Sequence, residues 1–238
     1  LQSAPRVAAL FSGTIMYAQV NWHGRPLIID YAAGCSLAIP LDPHGPQPAF
    51  FAPAAMSAEP LRAGAFVGDV RQGGSCNAEW LHWAPHCHGT HTECIGHITA
   101  QRLTVADCID SGPVLAVLAT VCPAAGMIAL AELQRRLPAG AGNAAALILR
   151  TEPNGPEKLH RDYATGPAFP VLEKEAMAWL ATLPLRHLLL DTPSADAPDN
   201  PRLDNHRIWW GRDPCVRQHG HPPQRRSITE LIYAAAEV

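Results

Sequence analysis

The chain has 238 residues, of which 47% are hydrophobic and 16% charged, and a formal net charge of −3. This is the composition of a globular chain and excludes a disordered one. The mild negative charge, without basic runs, leaves nucleic-acid or anionic-membrane binding without electrostatic support. No apolar run approaches the roughly 18 residues that span a bilayer, so no membrane partner is expected. The length suits one large domain or two small ones, and residues 1–238 are read as a single domain. Seven cysteines, an odd number, include no Cys-x-x-Cys pair. That argues against a disulfide framework or a structural zinc finger and for reduced thiols in the cytoplasm.

In chain order, Ile15–Val20 and Leu27–Tyr31 read as strands around the turn-prone His23-Gly24-Arg25-Pro26. Prolines recur too often between Pro40 and Pro60 for a central strand or helix, so this stretch is expected to be a long loop. Phe50-Phe51 within it suggest a pocket wall, a subunit contact or ordinary packing. Trp80-Leu81-His82-Trp83 read as a strand whose tryptophans either lie near the pocket or anchor the core. Val114–Val121, Ala144–Arg150 and His187–Asp191 are apolar runs of strand length. Between them, Ile128–Leu137 has Leu130, Leu133 and Leu137 on one helical face before Pro138, and Leu172–Leu183 repeats that spacing. Strand–helix–strand alternation of this kind predicts an α/β layer with strands buried on both faces.

The densest chemistry lies in His86-Cys87-His88-Gly89-Thr90-His91-Thr92-Glu93-Cys94-Ile95-Gly96-His97. Four imidazoles, two thiols and a carboxylate in so short a window point to a metal site or an acid–base centre. Read as an extended strand, the window puts Cys87, Gly89, His91 and Glu93 on one face. His86 and His88 fall on the other, from which a bulge could return either. A bend at Gly96 would bring His97 back to the same spot.

This window resembles the signature of the cyclase-like metal-dependent hydrolases, whose members include kynurenine formamidase and isatin hydrolase. Its pattern reads His-x-Gly-Thr-His-x-Asp-x-x-x-His. Gly89-Thr90-His91 and His97 match, while Cys87 stands at the first histidine and Glu93 at the aspartate. Ala146-Leu147-Ile148-Leu149-Arg150-Thr151 and Leu190-Asp191-Thr192-Pro193-Ser194-Ala195-Asp196 resemble two further family segments. The resemblance implies a swivelling β/β/α domain, assembled as a homodimer or higher oligomer. It implies one divalent ion on Cys87, His91 and Glu93 and a second on Glu93, His206 and Glu230, with His97 as catalytic acid–base. The implied substrate is a small linear or cyclic amide, opened by arylformamidase-like hydrolysis. A thiolate ligand would favour zinc over manganese. Two rivals stand beside this reading: a non-catalytic relative with a degraded site, and a metal-free hydrolase using Cys87 or Cys94 as nucleophile. Glu230 also fits a capping box begun by Ser227 at the start of a final helix. Asp191 and Asp196 are read as structural, and Gly211–Arg226, with His219 and His221, as an inserted loop.

Overall fold

The computed structural model describes residues 17–22, 24–51, 55–109, 112–138, 140–166, 168–211 and 225–238. Ile15 and nearly all of the inserted loop, including His219 and His221, lie outside them. The chain divides into two compact units, residues 1–36 and 37–238. In the first, β1 (Tyr17–Trp22) and β2 (Arg25–Asp30) form an antiparallel hairpin paired from Tyr17–Asp30 to Trp22–Arg25. Gly24 turns it at a φ of 82°, and its N–H donates to Asn21 Oδ1 at 2.8 Å. Lacking a Cβ, glycine takes this left-handed conformation without a steric penalty.

The second unit has strands β3 (Ser57–Pro60), β4 (Arg62–Ala63), β5 (Phe66–Val67), β6 (Glu79–His82), β7 (His91–Cys94), β8 (Ala116–Val121), β9 (Met127–Ile128), β10 (Ala146–Thr151), β11 (Val171–Leu172), β12 (His187–Leu190) and β13 (Ser227–Glu230). Its helices are α1 (Pro85–His88), α2 (Val105–Cys108), α3 (Leu130–Arg136), α4 (Lys174–Thr182) and α5 (Asp204–Trp209). Five strands make the central sheet in the order β7-β13-β12-β10-β8. Pairing is parallel from β13 to β8, and β7 alone runs antiparallel, at one edge. This is the mixed α/β architecture that the alternating apolar segments predict.

Register sets the core. Leu147 on β10 pairs with Leu188 on β12, which pairs with Ile228 on β13, so one row of side chains crosses the sheet on one face. All three are fully buried, together with Leu133 of α3, Met177 and Leu180 of α4, and Trp209 of α5. Burying an aliphatic or aromatic side chain of this size is worth roughly 1.5–3 kcal/mol relative to leaving it in water. The opposite face is only half covered, since Ile148, Leu189 and Thr229 are half-buried, where the apolar runs predict full burial on both sides. A second, smaller core gathers Ile39, Phe50, Tyr163, Phe169 and Leu231.

Three local expectations change. Phe50 packs in that second core edge-on to Phe169, at 5.4 Å between ring centroids, but Phe51 is exposed. The stretch read as a loop to Pro60 ends in β3, which pairs antiparallel with β6. On β6 and just after it, Trp80 and Trp83 are exposed, so neither anchors the core. A two-stranded ribbon has no second layer to cover its aromatic face, and sequence composition does not reveal that.

Asp191, just past β12, is structural as read. Its carboxylate accepts hydrogen bonds from the Thr151 N–H at 2.8 Å, the Thr151 hydroxyl at 3.0 Å and Lys158 Nζ at 2.8 Å. Lys158 also donates to the Thr151 carbonyl at 2.6 Å, and both ions are buried. Burial pushes the Asp191 carboxyl upward, and the Lys158 ammonium opposes that shift. Removing one partner of such a pair strands the other charge. Lys158→Met is therefore expected to destabilise the fold by about 3–5 kcal/mol near neutral pH. Without the ammonium, Asp191 binds a proton more readily folded than unfolded, so stability falls as pH rises through its folded-state pKa. Urea midpoints should show a smaller loss near pH 5 than near pH 8; an equal loss at both would rule out an unpaired carboxylate as the cause.

Candidate metal centre

The candidate site grows out of the edge pairing. On β13 and β7, Glu230 lies opposite His91 and Ile228 opposite Glu93. Side chains two apart on a strand share a face, so His91, Glu93 and Glu230 converge on the face that carries Ile228. Their donor atoms lie within 4.8 Å of one another, and all three residues are buried. The site sits at the carboxyl end of the parallel strand β13, where sites in α/β sheets habitually form.

The Gly-Thr-His triplet has a mechanical role. The Thr90 hydroxyl accepts from the Ile39 N–H at 2.8 Å and donates to the Leu231 carbonyl, tying β7 to the residue after Glu230. The Gly89 carbonyl accepts from His91 Nδ1 at 3.0 Å, which leaves His91 Nε2 facing inward. Leu41 lies where a Cβ on Gly89 would point, so the glycine makes room for Leu41. Gly96 does allow the expected bend: a Cβ there would sit 2.1 Å from the Leu103 carbonyl oxygen. The chain then turns through the 3-10 helix Ile95–Ile98 and returns His97 Nδ1 to 3.5 Å from Glu93 Oε2.

His206 reaches the site from α5. Its Nε2 lies 2.8 Å from Glu93 Oε1 and 3.6 Å from Glu230 Oε1, and its Nδ1 lies 2.6 Å from Asp196 Oδ2. Asp196 also accepts the backbone N–H groups of Asn205 and His206, at 2.9 and 3.2 Å, which fixes the start of α5. The structural reading of Asp196 therefore omitted a role: it positions His206, and the ten-residue spacing gave no signal of that. Glu230 is in a strand and caps no helix. Its Oε1 instead accepts the Ala195 N–H at 2.8 Å. The β-branched pair Ile228-Thr229 favours strand over the helix that the capping-box pattern suggested.

Electrostatics mark the cluster as incomplete. Burial works against a charged His206, but the carboxylates of Asp196, Glu230 and Glu93 outweigh it and raise its pKa well above the usual value. Glu230 is drawn down to about 2 despite its burial, by the neighbouring His206 and His91 imidazoles. Glu93 is pushed up, foremost by burial. His97 is lowered to about 4, by burial and then by the neighbouring His86 and His206. Among the described residues, His91 Nε2 and both carboxylate oxygens of Glu93 are buried without a well-aligned hydrogen bond, an expensive state unless something else pairs them.

The donor set fits a divalent cation. Two ligands of one four-coordinate ion, each about 2.0–2.1 Å from it, stand about 3.3–3.4 Å apart. His91 Nε2 to Glu230 Oε2 is 3.5 Å, and His97 Nδ1 and His86 Nε2 lie 3.5 and 3.6 Å from Glu93 Oε2. These separations exceed a hydrogen bond and approach that of shared ligands. Both inner histidines also have their outer nitrogen held by an oxygen, His91 by a carbonyl and His206 by a carboxylate, as metal-binding histidines do.

Of the six residues expected from sequence, the structure brings together His91, Glu93, His97, His206 and Glu230. Cys87 belongs to neither donor group found among the described residues, whereas His86 groups with Glu93 and His97. The reason is local: 85–88 form the helical turn α1, so strand parity, which holds from His91 onward, does not reach Cys87.

With this geometry in hand, comparison with known proteins identifies the class. The chain belongs to the putative cyclase family, whose model matches residues 35–197, more than half of the chain and inclusive of His91, Glu93, His97 and Asp196. No curated protein matches the chain. Among solved structures, it resembles a potential metal-dependent hydrolase with cyclase activity, at a TM-score of 0.54 and 13% identity over 83% of this chain and 80% of that one. It also resembles isatin hydrolase A from Labrenzia aggregata, at a TM-score of 0.53 and 15% identity over 86% and 82%. These likenesses establish a shared fold.

If Asp196 positions His206 for a cation, Asp196→Asn should weaken zinc binding by about 10–100-fold, as loss of an outer-shell partner does. Calorimetric titration of the metal-stripped protein checks this; unchanged affinity in a variant that melts like the wild type would reduce Asp196 to a helix anchor.

Proposed function

We propose that this protein is a metal-dependent hydrolase acting on a small linear or cyclic amide. One observation carries the reading: the buried His91 Nε2 and Glu93 Oε2 lack an aligned hydrogen bond, and they stand at ligand-like separations from Glu230 and from His86 and His97. Isatin hydrolase, whose fold it shares, acts by its name on isatin, a cyclic amide, and arylformamidase-like opening of a linear amide uses the same chemistry. A divalent ion, when bound, supplies Lewis acidity toward the amide carbonyl and makes water nucleophilic at neutral pH.

The chain's own residues do the rest. His91, Glu93, His206 and Glu230 hold the cation, and Asp196 and the Gly89 carbonyl orient the two imidazoles. His97 is less enclosed than that floor, with its side chain 30% exposed, so substrate can reach it. Held near pKa 4, its ring is neutral at physiological pH and enters the reaction as proton acceptor. Cys87 suits a nucleophile poorly, because burial raises its thiol pKa and nothing nearby offsets that.

The described cysteines are all free, which supports a reducing, cytoplasmic setting. No described helix is long and apolar enough to cross a membrane. Exposed Trp80, Leu81 and Trp83 on and beside an open two-stranded ribbon support assembly as a homodimer or higher homo-oligomer.

Protein purified without added metal should carry zinc or manganese, lose amide hydrolysis on chelation and regain it on adding either ion. Failure of every divalent ion to support hydrolysis of any arylformamide or cyclic amide would overturn the reading. His97→Gln should lower kcat by about 10²–10⁴-fold while metal content stays at the wild-type level; parallel loss of metal would instead mark His97 as a ligand.

A further inference from the structure

The turn Pro85–His88 offers three side chains that stand near the place of the signature's first histidine, and the structure separates them. His88 is buried and turned back on its own helix, where Nδ1 accepts the Ala84 N–H at 3.1 Å. Cys87 is half-buried, its carbonyl accepts the Phe50 N–H at 3.0 Å, and burial is the sole influence on its thiol. His86 faces the cluster. Its Nε2 lies 3.6 Å from Glu93 Oε2, and its ring packs edge-on to His91 at 4.8 Å and stacks on His97 at 4.6 Å between centroids. The charges it feels are those of His91, Glu230 and His206.

We propose that His86, in place of Cys87, is a metal ligand of this chain. It donates together with Glu93 to a cation position flanked by His97 and adjacent to the position held by His91, Glu93 and Glu230. This rests on the metal-dependent reading above and concerns which residues complete it. Helical geometry supplies the first reason: successive residues of a turn point about 100° apart, so His86 and Cys87 cannot face the same ion. The second is the unpaired Glu93 Oε2, buried and aimed between His86 and His97, while Oε1 turns to His206. One carboxylate thereby faces both donor groups, as a bridging ligand does.

The two departures from the signature then belong together. The histidine stands one residue earlier than the pattern requires, and the carboxylate is one methylene longer than aspartate. The extra length lets Glu93 span from His206 on one side to His86 on the other. The resulting ligands are imidazole and carboxylate throughout, so the thiolate ground for preferring zinc disappears and manganese becomes an equal fit.

The test is metal content, independent of turnover. Wild type, His86→Ala and Cys87→Ser are each loaded with zinc or manganese, dialysed and measured by elemental analysis. Cobalt(II)-loaded wild type is examined for a thiolate-to-metal charge-transfer band. Cys87→Ser should keep the wild-type content, and the cobalt protein should lack that band. His86→Ala should fall to about half of the wild-type content, as one of two adjacent ions is lost. His86 is half-exposed, so the variant should fold, and its melting curve confirms that. Loss of metal in Cys87→Ser, a charge-transfer band in the wild type, or full content in His86→Ala would each overturn the assignment. A wild type that binds no divalent ion would overturn the hydrolase reading with it.

Discussion

The molecule depends on the antiparallel pairing of β7 with β13. That pairing sets His91 against Glu230 and places Glu93 two residues along on the same face. A shift of one residue would send His91 and Glu93 to the opposite side of the sheet and leave Glu230 without partners. The structure guards the register from two sides. Thr90 bonds Ile39 and Leu231 around the junction, and Ile228, next but one to Glu230, is locked into the apolar row with Leu188 and Leu147. Packing energy spent on the core thus holds the geometry of the site.

A second theme is how this fold handles buried charge. Lys158 and Asp191 solve the problem internally: a cation, a carboxylate and the donors of Thr151 satisfy one another at hydrogen-bonding distances. The candidate site does not. Glu93, Glu230 and Asp196 gather around His91 and His206, yet Glu93 Oε2 and His91 Nε2 keep their nearest partners at separations too long for hydrogen bonds. Within one fold, the satisfied pair reads as structure and the unsatisfied cluster as a place built for an added cation.

The helices that cover the sheet and the loops that reach the site divide the work. α3 and α4 contribute apolar side chains only to the core, whereas α5 carries Trp209 into the core and His206 into the site. Asp196 connects these roles, since it caps the start of α5 through two backbone N–H groups and fixes the His206 ring with the same carboxylate. Any change that frays α5 therefore moves His206 within the candidate site.

Much of this was legible in the residues. The spacing of Leu130 and Leu133 and the apolar runs now seen as β8, β10 and β12 determined the α/β class. Gly89-Thr90-His91 with Glu93 and His97 marked the centre. The reason is that periodicity and short-range motifs encode local geometry, which holds wherever an element is regular. What the tertiary structure alone decided is the irregular part. The helical turn at 85–88 puts His86 rather than Cys87 beside Glu93 and His97, the strand at 227–230 puts Glu230 among the clustered donors rather than at a helix cap, and Asp196 gains His206 across ten residues of chain. Trp80 and Trp83 are exposed because nothing among the described residues covers their ribbon. Each outcome depends on what packs against a segment, and that is a property of residues far away in the chain.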